Sequence, residues 1–164
     1  MDLTVRPASY VGSDINSWTR FGGAASDWET LRSASDSTYL YDGSVSGGAA
    51  TSFYTDCIDY YKYNTSGAAP ISKITVYARA KQDPHGTPAT IALTERDATG
   101  TRQPASLNHQ NLTTSWATYE QQFTTHHGGY PYDFGFYPDL GFVDGSELQA
   151  GFVVTHGSIG VFVS

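Results

Sequence analysis

The sequence predicts an all-β domain, an antiparallel two-sheet β-sandwich of jelly-roll type, on three observations. Glycine (17), tyrosine (12) and phenylalanine (8), with abundant Ser and Thr, favour extended chain and turns, while the helix formers Lys, Glu, Leu and Met are scarce. Apolar and polar residues alternate with period two over short runs, as half-buried strands require. Clusters of Gly, Pro, Asp and Ser separate these runs, and an antiparallel sheet with one apolar face must bury it on a partner layer.

Ile74 to Lys81 is the clearest strand, with Ile74, Val76, Ala78 and Ala80 alternating with Thr75, Tyr77, Arg79 and Lys81. Ala89 to Arg96 follows, with Ile91 and Leu93 on one face and Thr90, Thr94 and Arg96 on the other. The turn Asp83-Pro84-His85-Gly86 between them suggests an antiparallel hairpin. Asp97-Ala98-Thr99-Gly100 reverses the chain again before Thr101-Arg102-Gln103, because Asp bonds its own backbone ahead and Gly takes positive φ. Trp116 to Phe123 sets Ala117, Tyr119 and Phe123 against Thr118, Glu120 and Gln122. Phe152-Val153-Val154 and Ile159 to Val163 bracket Gly157-Ser158 as a strand pair closing the sheet.

Upstream, Leu3 to Arg6, Ser17 to Phe21, Thr38 to Tyr41 and Thr51 to Ile58 are strand candidates, interrupted by Gly22-Gly23 and Gly47-Gly48, and Asp27 to Ala34 is a short helix candidate. The 164 residues fit one domain, 1–164, and no internal repeat is visible. Thr124 to Gly145 reads as one long loop whose His126, His127, Tyr130, Tyr132, Phe134, Phe136 and Tyr137 give it an aromatic density that a solvated linker does not carry. Such a loop is either packed down or a contact surface.

The formal charge of −7 gives no electrostatic footprint for a phosphate backbone or an anionic bilayer, so nucleic-acid and membrane partners are disfavoured. No run approaches the roughly 20 apolar residues of a membrane helix, and the first residues lack the basic-then-apolar order of a signal peptide. The lone Cys57 closes no intrachain disulfide, and its acidic neighbours Asp56 and Asp59 argue against a reactive thiolate.

No catalytic signature emerges. His85, His109, His126, His127 and His156 all lie outside any Gly-x-Ser-x-Gly context, and the adjacent pair His126-His127 would point to opposite faces of a strand. Asp56 and Asp59 lack the further oxygen ligands that calcium needs. Asp36-Ser37-Thr38 and Asp42-Gly43-Ser44 are oxygen-rich turns that leave structural calcium as the one cofactor not dismissed, although an ordinary Asp turn explains them equally well. Tyr54, Tyr60, Tyr61, Tyr63 and the tyrosines of the 130s offer apolar ring faces with a hydroxyl, suited to stacking on sugars.

Arg6-Pro7, Ser17-Trp18-Thr19 with Gly22-Gly23, Trp28 and Leu31, and Asp36-Ser37-Thr38-Tyr39-Leu40 together resemble the opening of a β-sandwich module common in tailed-virus (phage) virion structural proteins. Ile74 to Ala80 looks like its central strand, Leu112 to Tyr119 like the strand into its long loop, and Leu148-Gln149-Ala150-Gly151-Phe152 like its return, so nearly the full length is covered. In the loop, Thr124 to Tyr132 stands where the module usually has an Asn-Pro and a Thr-Gly step before a Trp.

The resemblance implies a non-enzymatic virion component, a capsid decoration or tail-associated jelly roll assembled in the host cytoplasm. Tyr130, Tyr132, Phe134, Phe136 and Tyr137 would contact neighbouring capsid or tail subunits. Strand edges and exposed tyrosines would support a homo-oligomer, a trimer being the state that analogy to other decoration proteins suggests. The alternative is a carbohydrate-binding module gripping a host or polysaccharide glycan through exposed aromatics, and burial of Trp18, Trp28 and Trp116 together would count against a planar sugar platform.

Overall fold

A computed structural model describes residues 9–10, 18–23, 30–31, 35–43, 50–56, 73–96, 102–103, 107–124, 149–155 and 160–164. Eleven strands run through them: β1 (Ser9–Tyr10), β2 (Trp18–Phe21), β3 (Tyr39–Asp42), β4 (Ala50–Asp56), β5 (Ile74–Gln82), β6 (Thr90–Arg96), β7 (Arg102–Gln103), β8 (Gln110–Asn111), β9 (Ala117–Phe123), β10 (Gln149–Thr155) and β11 (Val161–Val163). Thr30 and Leu31 are helical, the described part of the expected helix; the expected strand Leu3 to Arg6 lies outside the described residues.

The strands form two antiparallel sheets. Sheet A has the order β1-β4-β10-β6-β7, with β8 also on β6; sheet B has the order β2-β3-β11-β5-β9. From β3 onward the longer strands alternate between layers, β3 in B, β4 in A, β5 in B, β6 in A, β9 in B, β10 in A and β11 in B, while the two-residue β7 and β8 stay with β6 in A. That alternation is the jelly-roll sandwich.

The expected hairpin of β5 with β6, and the closing pair of β10 with β11, are not hairpins. Each pair divides between the two sheets, β5 pairing with β9 and β11, β10 with β4 and β6. Ala78 and Ala80 of β5 bury the same interior as Ile91 and Leu93 of β6, so the two stripes meet face to face across the sandwich instead of side by side. The connection between them keeps the predicted turn, with the Gly86 and His85 amides donating to the Asp83 carbonyl and carboxylate at 3.0 and 2.9 Å. Gln82 Oε1 also accepts the Ala89 amide at 3.0 Å, which fixes the exit into the other layer. The reversal before Arg102-Gln103 is as expected, with Glu95 opposite Gln103.

The core follows from the alternation. Leu40, Ala78, Ala80, Tyr119, Val161 and Val163 of sheet B pack with Ile91, Leu93, Phe152 and Val154 of sheet A, and Val76 and Ala117 join at the margin. Trp18 of sheet B meets the Phe152 ring of sheet A edge-on at 5.7 Å, a contact that ties one layer to the other. Ile91 to Glu95 and Gly151 to Val154 are buried at every position, so the middle of sheet A is withdrawn from water on both faces. Sheet B differs: on β9 only Tyr119 and Phe123 are buried, and Tyr77 of β5 is 62% exposed. One face of sheet B is core and the other meets solvent.

Candidate functional site

Register decides what that solvent face carries. In sheet B, Thr19 pairs with Tyr41, Tyr41 with Phe162, and Phe162 with Lys81. Continuing one step past the pair Ala80–Ala117 puts Trp116 opposite Lys81. One row across four strands therefore reads Thr19, Tyr41, Phe162, Lys81, with Trp116 at its end. The adjacent row begins with the pair Phe21–Tyr39 and includes the pair Arg79–Thr118.

The rings of these rows touch in one network. Phe21 stacks on Tyr39 at 5.0 Å and 22°, and Tyr41 lies tilted on Phe162 at 4.7 Å. Tyr39 reaches Phe162 at 5.4 Å and Trp116 at 5.9 Å. Phe21 with Tyr41, and Trp116 with Phe162, close the network at 6.4 Å each. Phe21 is 41% exposed, and Tyr39, Tyr41, Trp116 and Phe162 are half-buried. On an antiparallel sandwich the outward positions of strands are ordinarily polar; here they carry a contiguous set of partly exposed rings.

Local chemistry places the rings. On β3, Leu40 and Asp42 point inward and are fully buried, which sends Tyr39 and Tyr41 outward. On β11, Val161 and Val163 do the same for Phe162. Gly160 permits the close approach of this segment to β3, since a Cβ there would overlap the Asp42 carbonyl oxygen and come within 2.8 Å of the Tyr41 ring. At the other end Gly22 adopts φ +95°, and a Cβ would press the Ser37 carbonyl at 2.6 Å. Trp116 is held by the segment before it: Leu112 is buried, Thr113 accepts the Gln82 amide through its carbonyl at 2.9 Å, and the Thr113 amide donates to the Tyr119 hydroxyl at 3.1 Å.

Lys81 and Arg79 of β5 stand on this face. Lys81 Nζ lies 4.7 Å from the Phe162 ring centre and 5.1 Å from that of Trp116, within cation–π range of both. Arg79 is engaged by Asp36, its Nη2 donating to Oδ2 at 2.8 Å and its Nε to Oδ1. The hydrogen bond from Arg79 holds the Asp36 carboxyl below its ordinary range, and Lys81 adds a smaller push in the same direction.

The residues singled out from sequence fall as follows. Tyr130, Tyr132, Phe134, Phe136 and Tyr137 lie outside the described residues, as do Cys57, Asp59, Tyr60, Tyr61, Tyr63, His126, His127, His156 and Trp28. Tyr54 and Asp56 sit on β4 at positions given by the backbone alone. Of the two oxygen-rich turns, one has its Asp36 carboxylate on Arg79, and the other begins with the fully buried Asp42. Among the described residues no three His, Cys, Asp or Glu side chains gather as a metal site. His109 exchanges a 3.0 Å hydrogen bond with the Thr90 hydroxyl. Trp18 is buried while Trp116 is not, so the condition set against a sugar platform is not met by the tryptophans described.

Sequence reasoning missed Phe21, Tyr39, Tyr41, Trp116 and Phe162 as a group. The signal was present within strands, in Tyr39-Leu40-Tyr41-Asp42 and Val161-Phe162-Val163, where the outward positions are aromatic. Their convergence depended on which strands pair.

No protein-family model matches the chain, and no curated protein matches it in sequence. Among solved structures it is similar to a family 61 carbohydrate-binding module in complex with β-1,4-galactotriose, at 7% identity and TM-score 0.48, over 97% of this chain and 86% of that one. A family 4 carbohydrate-binding module is similar at 14% identity and TM-score 0.45, over 90% of this chain and 88% of that one. The enzymatically active domain of tailspike protein 4 of bacteriophage CBA120 is similar at 15% identity and TM-score 0.44, over 92% of this chain but only 19% of that one.

Proposed function

We propose that this chain is a glycan-binding domain that works by adhesion, without turnover, through the outward face of sheet B. The observation that carries the reading is the continuous network of Phe21, Tyr39, Tyr41, Trp116 and Phe162 on a face that a sandwich would otherwise leave polar. A pyranose has one face of C–H groups and a rim of hydroxyls. Aromatic rings meet the first, and tyrosine hydroxyls and nearby charged groups can bond the second. Tyr39, Tyr41, Lys81 and the Arg79–Asp36 pair stand within or beside the ring network and supply that polar chemistry.

The contacts expected with capsid or tail subunits fall on the loop from Thr124 to Gly145, whose aromatic residues lie outside the described residues. None of the five rings of the network comes from that loop.

The test is affinity electrophoresis of the chain through gels containing soluble polysaccharides, comparing the parent with Trp116→Ala and with Tyr39→Ala/Phe162→Ala. Truncating an aromatic anchor at a binding centre costs about 2 kcal/mol or more, roughly thirtyfold in affinity. Retardation by at least one polysaccharide that both variants lose, with melting curves retained, supports the reading. Retardation that survives in both variants would move the site elsewhere, and no retardation by any polymer would remove the reading.

A further inference from the structure

Lys81 is the feature of this face that a neutral sugar platform does not require. Its strand partner in the row is Phe162, and its ammonium stands over two of the rings, 4.7 Å from Phe162 and 5.1 Å from Trp116. Among the described residues no carboxylate forms a direct ion pair with it; Asp36, near enough for the two charges to interact, is held by Arg79. Arg79, two positions along the same strand and on the same face, is by contrast held by both oxygens of Asp36. Glu120 is the other acid at an outward position of sheet B, opposite Tyr77, four residues from Lys81 along β5 and so about 13 Å away at the rise of a strand.

An ammonium flanked by ring faces has fewer waters to give up than one in bulk solvent. Its position is also fixed before any ligand arrives, so less ordering accompanies binding. A lysine presents a point charge that one carboxylate oxygen can meet from many directions. The chain as a whole carries −7 and would repel a polyanion at long range, but that field is screened beyond a Debye length of about 8 Å, whereas a contact at Lys81 is not. The balance therefore favours an anion delivered by contact, on a ligand whose ring also stacks.

We infer that the ligand of the sheet B face is an acidic glycan, a polymer of sugar units bearing carboxylates, in which a sugar ring packs on Trp116 and Phe162 while its carboxylate meets Lys81 Nζ. This rests on the glycan reading above and deepens it by naming the substrate class.

The experiment compares sodium polygalacturonate, alginate and hyaluronate, each beside its own carboxyl-reduced form, so that backbone and linkage stay the same while the charge is removed. Affinities of the full chain, Lys81→Met and Lys81→Arg are measured by isothermal titration, after circular dichroism has shown each variant folded. The expected result is that at least one native polymer binds tenfold or more tighter than its reduced form. Lys81→Met should abolish that preference, Lys81→Arg should keep most of it, and the preference should shrink as salt is raised. If reduced and native polymers bind equally, or if Lys81→Met leaves the preference intact, the acidic-glycan inference is overturned while the glycan reading stands. If no polymer binds in either form but neutral galactans or glucans do, the inference alone is again lost. Binding to none of them overturns both.

Discussion

Arg79 of β5 and Asp36 of the turn before β3, 43 residues apart, meet through two parallel N–H to carboxylate contacts. Between them in sheet B lies only β11, and the terminal Ser164 exchanges backbone hydrogen bonds with the same Arg79, at 2.8 and 3.2 Å. The pair thus bridges the end of β11, the strand that carries Phe162, and fastens the turn Ser35–Thr38 beside the aromatic rows. It also engages the Arg79 charge, whereas Lys81 stands over the Phe162 and Trp116 rings.

The pairing has a pH signature. Because the Arg79 hydrogen bond holds Asp36 below its ordinary 3.8, the folded state binds that proton less readily than the unfolded chain. The contribution to stability is present above the unfolded value and is lost as pH falls through the lowered folded-state value. Asp36→Asn should therefore flatten the acid limb of a plot of Tm against pH below about pH 4. At neutral pH the change in Tm should be small, since both side chains are solvent-accessible and exposed pairs contribute little. Calorimetric scans over that range check both parts.

Leu40 tests the core directly beneath the aromatic face. Its side chain is fully buried in the core cluster that also holds Trp18, Val161 and its strand partner Val163. Leu40→Ala should cost about 2 to 5 kcal/mol from lost burial and the cavity left behind. For a domain of this length that lowers Tm by on the order of 10 °C, as thermal melts followed by circular dichroism would show.

Gly160→Ala probes the joint between β11 and β3. The added methyl would overlap the Asp42 carbonyl and crowd the Tyr41 ring, both fixed by strand pairing, so the strands must part. Overpacking of this kind costs about 1 to 3 kcal/mol, and the displacement of Tyr41 should weaken glycan binding as well. Denaturant melts and binding measured on the same sample should fall together, whereas Leu40→Ala should lower stability with binding per folded molecule kept.

Much of the fold was legible in the sequence. The alternation in Ile74 to Lys81 gave the register correctly: Ala78 and Ala80 are buried, Val76 packs at the core margin and Tyr77 is out in solvent. Period two reports which residues of a strand share a face, and that depends only on neighbours in the chain. What it does not report is the partner. The turn Asp83 to Gly86 is real, yet β5 and β6 part into different layers, because a connection running on to Ala89 is long enough to cross the interior and both strands gain more by facing each other than by pairing. The binding face was hidden for the same reason. Phe21, Tyr39, Tyr41, Phe162 and Trp116 come from four separate segments, and only the order β2-β3-β11-β5-β9 sets them side by side. Sequence density drew attention instead to the tyrosines of the 130s, where aromatic residues are close in the chain.

The central claim is that glycan meets this chain on the outer face of sheet B, and the most direct measurement is an NMR titration of the isotopically labelled full chain with soluble oligosaccharide fragments of a polymer that it retains. The account predicts that shifts concentrate on the side-chain and backbone signals of Phe21, Tyr39, Tyr41, Lys81, Trp116 and Phe162, and that the buried Trp18 indole stays unmoved. Saturable shifts confined to sheet A or to residues 125–148, with those six signals unchanged, would contradict it.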